Sequence, residues 1–158
     1  MNWLYTAPAV TGRQAPDFTL PSADGPVSLT EFTGHQPIVL YFMCRFTCSR
    51  CWQALMALGY SQQRTEADDT MVLVIGDDRH LHPATQLARE LGLPFPLLAD
   101  PNGAVRRLYG HCSKSIRCTG NVTVYLDEEG TVKCWQRSRS HRTNLAEGRN
   151  SEEQCKRD

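Results

Sequence analysis

The stretch from Tyr41 to Trp52, YFMCRFTCSRCW, decides the fold of this chain. The stretch begins inside an apolar run at residues 38–43 (IVLYFM). It leads into a segment that is predicted to be helical from residues 47–50 to about residue 64. A continuous run of β-branched and aromatic residues predicts a strand that is buried on both faces of a sheet. Cys48 and Cys51 therefore stand where a buried strand passes into a helix.

The elements on either side of this junction predict an α/β fold. Short strands are expected at residues 17–20 and 27–29, a second buried strand at 71–75, helices at 83–91 and 101–109, and a hairpin of strands at 122–126 and 131–135. The order β, α, β, α and a final hairpin predicts a central mixed sheet flanked by helices. We expect one domain over residues 1–136, followed by a polar tail at 137–158 that is too poor in apolar groups to order itself and is either mobile or ordered by a partner.

Charge and hydropathy exclude several classes of function. The 158 residues carry 17 Lys and Arg against 17 Asp and Glu, so the formal net charge is zero. A nucleic-acid or anionic-membrane binder would carry a basic footprint, and we expect neither partner. The longest apolar runs are far shorter than the roughly 20 residues of a membrane-spanning helix.

The seven cysteines need an explanation other than stapling a small fold, because a chain of this length can bury a core without disulfides. The first residues, MNWLYTAPAV, lack the basic and apolar regions of a secretory signal, so a reducing cytoplasm is the expected compartment. There, an odd number of cysteines that includes a CxxC favours redox or metal chemistry over a disulfide framework.

The CxxC formed by Cys48 and Cys51 predicts a reactive dithiol. A sulfur at a helix N-terminus faces unpaired backbone N–H groups and the positive end of the helix dipole, which stabilise a thiolate. Arg45 and Arg50 add positive charge, and Thr47 directly precedes the first cysteine; we take all three as supporting residues. Cys48 is the expected nucleophile, and Cys51, one turn further on, can resolve its adducts. The alternatives are two buried small side chains or half of a structural metal site.

Several motifs resemble the family of alkyl hydroperoxide reductases and thiol-specific antioxidant proteins. They lie in the family's order and spacing over about residues 12–136: APDFTL at 15–20, DG at 24–25, VSL at 27–29, Phe32, Gly34, LPFPL at 93–97, DPNG at 100–103, YG at 109–110 and YLDEEG at 125–130. The resemblance implies a thioredoxin-like fold whose reactive cysteine lies in the loop after the strand at residues 38–43.

Two departures bear on the branch of this family. Peroxiredoxins usually carry a Pro seven residues and a Thr three residues before the cysteine that reacts with peroxide; if Cys51 takes that place, Cys44 and Cys48 stand there instead. The layout resembles a peroxiredoxin-like branch with a CxxC, in which the first cysteine is the nucleophile. The stretch at 118–122 also lacks the Pro that precedes the late strand in thioredoxins, which argues against thioredoxin-style docking of protein substrates.

Cys44 completes a CxxxCxxC spacing with Cys48 and Cys51. That spacing is shared with enzymes that bind a [4Fe–4S] cluster, and thiolates do ligate such clusters. The surrounding residues match the redoxin pattern instead, so we predict no metal and no organic cofactor. Cys44 is interpreted either as a third redox thiol or as a buried thiol at a strand end. Roles for Cys112, Cys118, Cys134 and Cys155 stay open.

The sequence thus predicts a thiol-dependent oxidoreductase with antioxidant activity, in which Cys48 and Cys51 cycle between dithiol and disulfide. The substrate would be a peroxide or a disulfide, and an external dithiol, thioredoxin-like or of low molecular weight, would restore the reduced form. A homodimer is possible for such a protein. The alternative is a redox sensor or partner-binding protein of the same fold that does not turn over substrate.

Overall fold

The computed structural model describes residues 11–64, 69–76, 80–110 and 121–138. Within these ranges the chain forms one mixed sheet and three α-helices. The elements are β1 (Thr19–Ser22), β2 (Gly25–Ser28), β3 (Ile38–Phe42), α1 (Ser49–Arg64), β4 (Met71–Gly76), α2 (Leu81–Glu90), β5 (Leu97–Ala99), α3 (Ala104–Leu108), β6 (Asn121–Leu126) and β7 (Val132–Ser138). The predicted fold class, a central mixed sheet with helices, is confirmed.

The strand β3, which leads into the cysteine loop, lies inside the sheet. The strand order is β2-β1-β5-β4-β3-β6-β7, with β3 parallel to β4 and antiparallel to β6. All five residues of β3 are buried, as the apolar run predicts. Because β3 and β4 are parallel, their carboxyl ends lie at the same edge of the sheet, and the loop that carries the cysteines leaves from that edge.

Both faces of the sheet carry a core. On one face Val39 and Tyr41 pack in a cluster with buried residues of α1 and α2, among them Leu55 and Ala84. On the other face the remaining residues of β3 pack in a second cluster that includes Val105 of α3 and residues from the start of the described chain. The alternation of side chains along a strand sends each set to its own face. The burial of β3 on both faces therefore fixes the point at the edge of the sheet where the cysteine loop begins.

The first hairpin differs from the prediction in its register. β1 and β2 occupy residues 19–22 and 25–28 instead of 17–20 and 27–29, and Pro21 pairs with Pro26. The turn is tighter than predicted because Ser22 pairs with Gly25, which leaves two residues between the strands; Gly25 has a φ of 121°, a conformation that glycine adopts readily. Pro26 is tolerated within β2 because that strand is an edge of the sheet.

The short strand β5 was not predicted from the sequence. It has three residues and stands next to a proline-rich segment, so no local pattern marks it. Its residues pair with β4 in parallel, from Val74 opposite Leu97 to Gly76 opposite Ala99, and all three are buried. Tertiary pairing, which a local pattern does not contain, makes this segment a strand.

The predicted helix at residues 101–109 is two pieces. A 3₁₀ turn at Pro101–Gly103 is interrupted at Asn102, whose φ is 63°, and α3 follows. The carboxylate of Asp100, which precedes the 3₁₀ turn, accepts hydrogen bonds from the backbone N–H groups of Val105 and Arg106, at 3.0 and 2.9 Å. Asp100 thus caps α3 from across the turn.

The remaining predicted elements need small adjustments. α1 ends at Arg64 as predicted, and Gly59 does not interrupt it; a Cβ at Gly59 would lie 2.5 Å from Leu93 Cδ2, so the glycine allows that side chain to approach. α2 covers residues 81–90 in place of 83–91. β7 continues to Ser138, and the rest of the predicted tail, residues 139–158, lies outside the described residues. No helix in the described part of the chain is long and apolar enough to cross a bilayer.

Gly76 at the end of β4 provides a test of how the cysteine loop is seated. A Cβ built on Gly76 would lie 2.6 Å from the ring of Phe46, so we expect Gly76→Ala to lower the free energy of unfolding by about 1–3 kcal/mol through overpacking. The measurement is urea unfolding of Gly76→Ala, Phe46→Leu and the double variant. If the contact is the cause, the double variant loses less than the sum of the single variants. Strict additivity would contradict this account of the loop.

Candidate active site

Three cysteines converge where the loop after β3 meets the start of α1. Cys44 follows the strand by two residues, Cys48 directly precedes the helix, and Cys51 lies in the first turn of the helix. Their sulfur atoms all lie within 4.8 Å of one another, and all three are free thiols. The Sγ atoms of Cys44 and Cys51 are 3.2 Å apart. The loop therefore gathers into one cluster the two predicted catalytic residues and the candidate third thiol.

The backbone of this loop is held to the sheet by hydrogen bonds. The N–H of Met43 donates to Ile75 O at 3.0 Å, which extends the pairing of β3 and β4 beyond the strand. The guanidinium of Arg106 donates to Ile75 O at 3.3 Å and to Cys44 O at 3.5 Å. Arg106 is buried, and its Nε lies 4.0 Å from the carboxylate of Asp100. One buried arginine thus joins α3, β4 and the loop.

Aromatic side chains hold the middle of the loop. Phe46 is buried, and its ring lies against the bare Cα of Gly76, where no Cβ intervenes. Trp52 of α1 donates its indole N–H to Phe46 O at 2.7 Å. The loop is consequently tied to β4 on one side and to α1 on the other.

The environment of Cys48 fits a nucleophile. Burial raises the pKa of its thiol, but hydrogen bonds to the sulfur from the backbone N–H of Cys51, from the thiols of Cys51 and Cys44, and from the backbone N–H of Arg50 lower the pKa, with a net lowering. Cys48 is only partly buried, so a small molecule can reach it. The predicted effect of the helix N-terminus on this thiolate therefore has a specific source, the N–H groups of the first turn of α1.

The supporting residues predicted around the CxxC lie at the surface. Arg45, Thr47 and Arg50 are all exposed. The contribution of Arg50 to the pKa of Cys48 comes from its backbone N–H group. Supporting roles for the three side chains stay predictions.

Cys51 and Cys44 have the opposite character. Burial raises the pKa of the Cys51 thiol, and the neighbouring thiols of Cys44 and Cys48 raise it further; this side chain has no exposed surface. Burial also raises the pKa of Cys44, which is half-buried. Of the three, Cys48 is the one that carries a negative charge most readily.

Two residues that the sequence did not mark complete the site. The Cys51 thiol donates to Asn121 Oδ1 at 3.3 Å, and Asn121 Nδ2 donates to the Tyr41 hydroxyl at 2.6 Å. Burial raises the pKa of Tyr41, and the three cysteines raise it further, so the hydroxyl stays protonated beside the sulfurs. Asn121 opens β6 and lies within the stretch at 118–122 noted for its missing proline. No local signal distinguishes it, because its role depends on the pairing of β3 with β6.

The sulfur cluster also resembles a ligand set for a soft metal ion. Three thiolates around one point can hold a single ion such as Zn²⁺. Tetrahedral coordination with Zn–S bonds of about 2.3 Å would need sulfur atoms about 3.8 Å apart. The Sγ atoms of Cys44 and Cys51, at 3.2 Å, lie closer together than that. Convergence on one point also fits a single ion better than an iron–sulfur cluster, whose irons bind separate thiolates.

The other cysteines do not join this cluster in the described part of the chain. Cys134 is buried on β7 and is disulfide-bonded. Cys112, Cys118 and Cys155, whose roles the sequence left open, lie outside the described residues.

Comparisons with known proteins agree with this geometry. The model of the AhpC/TSA family matches residues 11–134. The chain is 34% identical over 125 residues, 77% of its length, to a protein named chloroplastic peroxiredoxin Q from Gentiana triflora. The alignment spans 56% of that relative, so the chain covers little more than half of its length.

Solved structures share the fold. The peroxidoxin BcpB of Mycobacterium tuberculosis superposes with a TM-score of 0.73 at 20% identity, over 87% of this chain and 94% of that one. A secreted disulfide oxidoreductase of the same organism superposes with a TM-score of 0.63 at 18% identity, over 82% of this chain and 90% of that one. The predicted thioredoxin-like fold is confirmed.

The pH dependence of alkylation tests the character assigned to the thiols. With iodoacetamide, we expect Cys48 to react with a midpoint below that of an ordinary cysteine thiol, because hydrogen bonds to its thiolate lower its pKa. Cys44 and Cys51 should react only at higher pH. The measurement is peptide-resolved mass spectrometry of briefly alkylated, fully reduced protein. If Cys51 is the most reactive thiol at pH 6–7, the assignment of the nucleophile is wrong.

Proposed function

The chain belongs to the AhpC/TSA family, and from that membership we propose that it is a thiol-dependent oxidoreductase that reduces peroxides through Cys48 and Cys51. Cys48 is the nucleophile, and Cys51 closes the intramolecular disulfide. An external thiol reductant, either a thioredoxin-like protein or a thiol of low molecular weight, returns the disulfide to the dithiol. Its similarity to a protein named as a peroxiredoxin supports a peroxide as the substrate.

The contrast between the two thiols of the CxxC carries this proposal. Cys48 is partly exposed and its pKa is lowered, whereas Cys51 has no exposed surface and its pKa is raised. A nucleophile must be a reachable thiolate, and a resolving thiol need only meet the adduct that forms beside it. The spacing of peroxiredoxins would place Cys51 at the peroxide-reacting position, but a fully buried thiol with a raised pKa is poorly suited to that step.

The proposed reaction has two steps before reduction. The thiolate of Cys48 attacks one oxygen of the peroxide, the O–O bond breaks, and the sulfur becomes a sulfenic acid while the leaving oxygen takes a proton from solvent and departs as an alcohol or water. The Cys51 sulfur then attacks the sulfenic sulfur, the S–O bond breaks, and water leaves as the Cys48–Cys51 disulfide forms. Two electrons from the external thiol reductant restore both thiols.

A disulfide substrate fits the same residues. Cys48 would form a mixed disulfide with the substrate, and Cys51 would release the reduced product. The observation that favours this version is the CxxC itself at the start of α1. Peroxiredoxins carry a Thr three residues before the cysteine that reacts with peroxide. In this chain Arg45 stands three residues before Cys48, and Cys48 stands three residues before Cys51, so neither cysteine has that Thr.

Stopped-flow consumption of peroxide tests the proposal. We expect reduced protein to consume peroxide in a fast reaction, Cys48→Ser to lose more than about 100-fold of this rate because the nucleophile is removed, and Cys51→Ser to retain the first step and accumulate a sulfenic acid. Ser49→Ala, with an exposed side chain between the two cysteines, is the matched control and should behave as the parent.

The same variants separate the alternatives. Insulin reduction that depends on Cys48, without fast peroxide consumption, would make the disulfide version the correct one. Disulfide formation without turnover of either substrate would point to a redox sensor or partner-binding protein. Equal peroxide rates for the parent and Cys48→Ser would overturn the proposal.

The compartment and the assembly are also proposals. Three free thiols in the described chain support a reducing cytoplasm, whereas the disulfide of Cys134 weighs against it. Subcellular fractionation decides whether the protein lies in the cytoplasm or in a more oxidising compartment. We propose a homodimer, which analytical ultracentrifugation of reduced and oxidised protein tests directly.

A further inference from the structure

We propose that Cys44 is a third catalytic thiol that accepts the disulfide from Cys48, so that the oxidised protein carries a Cys44–Cys51 disulfide and a free Cys48. This inference rests on the proposed function for the first disulfide, between Cys48 and Cys51. It assigns to Cys44 the step that follows.

The distance between the sulfur atoms supports this step. Cys44 Sγ and Cys51 Sγ lie 3.2 Å apart, and Cys48 Sγ lies within 4.8 Å of both. A disulfide bond is about 2.05 Å long, so a displacement of about 1 Å joins Cys44 to Cys51. Cys51 is also held by its hydrogen bond to Asn121 Oδ1 at 3.3 Å. Cys51 therefore has two potential partners rather than one.

Cys44 and Cys51 are presented by different elements. The loop at Cys44 is fixed to the sheet by Arg106, which donates to the Cys44 carbonyl, and by the pairing of Met43 with Ile75. Cys51 belongs to α1. The contacts of Arg106 and Met43 therefore hold Cys44 to the sheet, on a different element from the helix that carries Cys51.

The exchange is a balanced thiol–disulfide reaction. The Cys44 thiolate attacks the Cys51 sulfur of the Cys48–Cys51 disulfide, the new bond joins Cys44 to Cys51, and the old bond breaks. Cys48 leaves as a thiolate, and the proton released by Cys44 goes to solvent or to Cys48. No electrons enter or leave the protein, and no further reactant is needed.

The thiol environments give the exchange its direction. A thiol of lower pKa is the better leaving group and is more stable in the free form. Hydrogen bonds from the first turn of α1 give Cys48 that character, whereas burial raises the pKa of Cys44 and Cys51. The disulfide therefore settles between Cys44 and Cys51, the two thiols whose pKa is raised. Because Cys51 has no exposed surface, the external reductant attacks at Cys44, the half-buried end.

Disulfide mapping over time tests the proposal without relying on turnover. Fully reduced protein receives one equivalent of a diazenedicarboxamide oxidant, which converts two thiols into a disulfide. The samples are quenched in acid, alkylated, digested and analysed by mass spectrometry. We expect a Cys48–Cys51 disulfide at early times and a Cys44–Cys51 disulfide with alkylated Cys48 at the end. A final state with Cys48–Cys51 linked and Cys44 alkylated would overturn the proposal.

Serine variants provide the second arm. Cys44→Ser should stop at the Cys48–Cys51 disulfide, and Cys48→Ser should form Cys44–Cys51 directly with the same oxidant. Ser49→Ala should follow the time course of the parent. If Cys48→Ser does not fold, as judged by circular dichroism, the time courses of the parent and of Cys44→Ser still decide the question.

This experiment fails separately from the test of the proposed function. A protein that consumes neither peroxide nor disulfide substrates still reports its disulfide pairing with a stoichiometric oxidant. Fast peroxide consumption together with a permanently free Cys44 would leave the proposed function intact and remove the third thiol from the cycle.

Discussion

The burial of β3 on both faces is the constraint on which the reactive loop depends. Its five residues pack into two cores, and its neighbours β4 and β6 hold it by pairing along its whole length. A strand fixed in this way delivers the following residue, Met43, to a defined point at the edge of the sheet. The hydrogen bonds of Met43 and Arg106 then carry this order outward as far as Cys44.

The three cysteine thiols lie within a few ångströms of one another, yet they differ in pKa and in burial. The backbone N–H groups of the first turn of α1 reach Cys48, whereas Cys51 lies deeper, where burial dominates. Proximity alone would have made the three sulfurs similar. What separates them is the direction in which the unpaired donors of a helix point, together with a steep gradient of solvent exposure over one turn of the helix.

The sequence predicted those parts of the fold whose cause is local. The run IVLYFM predicts β3, the CxxC marks the start of α1, and the family motifs give the thioredoxin-like fold. What was missed depends on partners distant in sequence. β5 is a strand because β4 lies beside it, and Asp100 caps α3 because Asn102 turns the chain back.

Asn121 and Arg106 illustrate the same limit at the active site. Both are buried polar residues whose partners lie in other elements: Asn121 is 70 residues from Cys51, and Arg106 is 62 from Cys44. Neither belongs to a motif, and a polar residue at a strand start or on a short helix is ordinarily read as exposed. Cys44 lay between these cases, because its spacing was visible in the sequence and its contact with Cys51 was not.

The hydrogen bond from Trp52 to the Phe46 carbonyl links the loop to the fluorescence of a tryptophan. An indole whose N–H is bound in a buried setting emits differently from one released to water, and a nearby sulfur quenches its fluorescence. This bond joins α1 to Phe46, which lies between Cys44 and Cys48, so a movement of Phe46 away from the helix would break it. Trp52 is thus a native fluorophore beside the reactive cysteines, and its emission reports on this hydrogen bond.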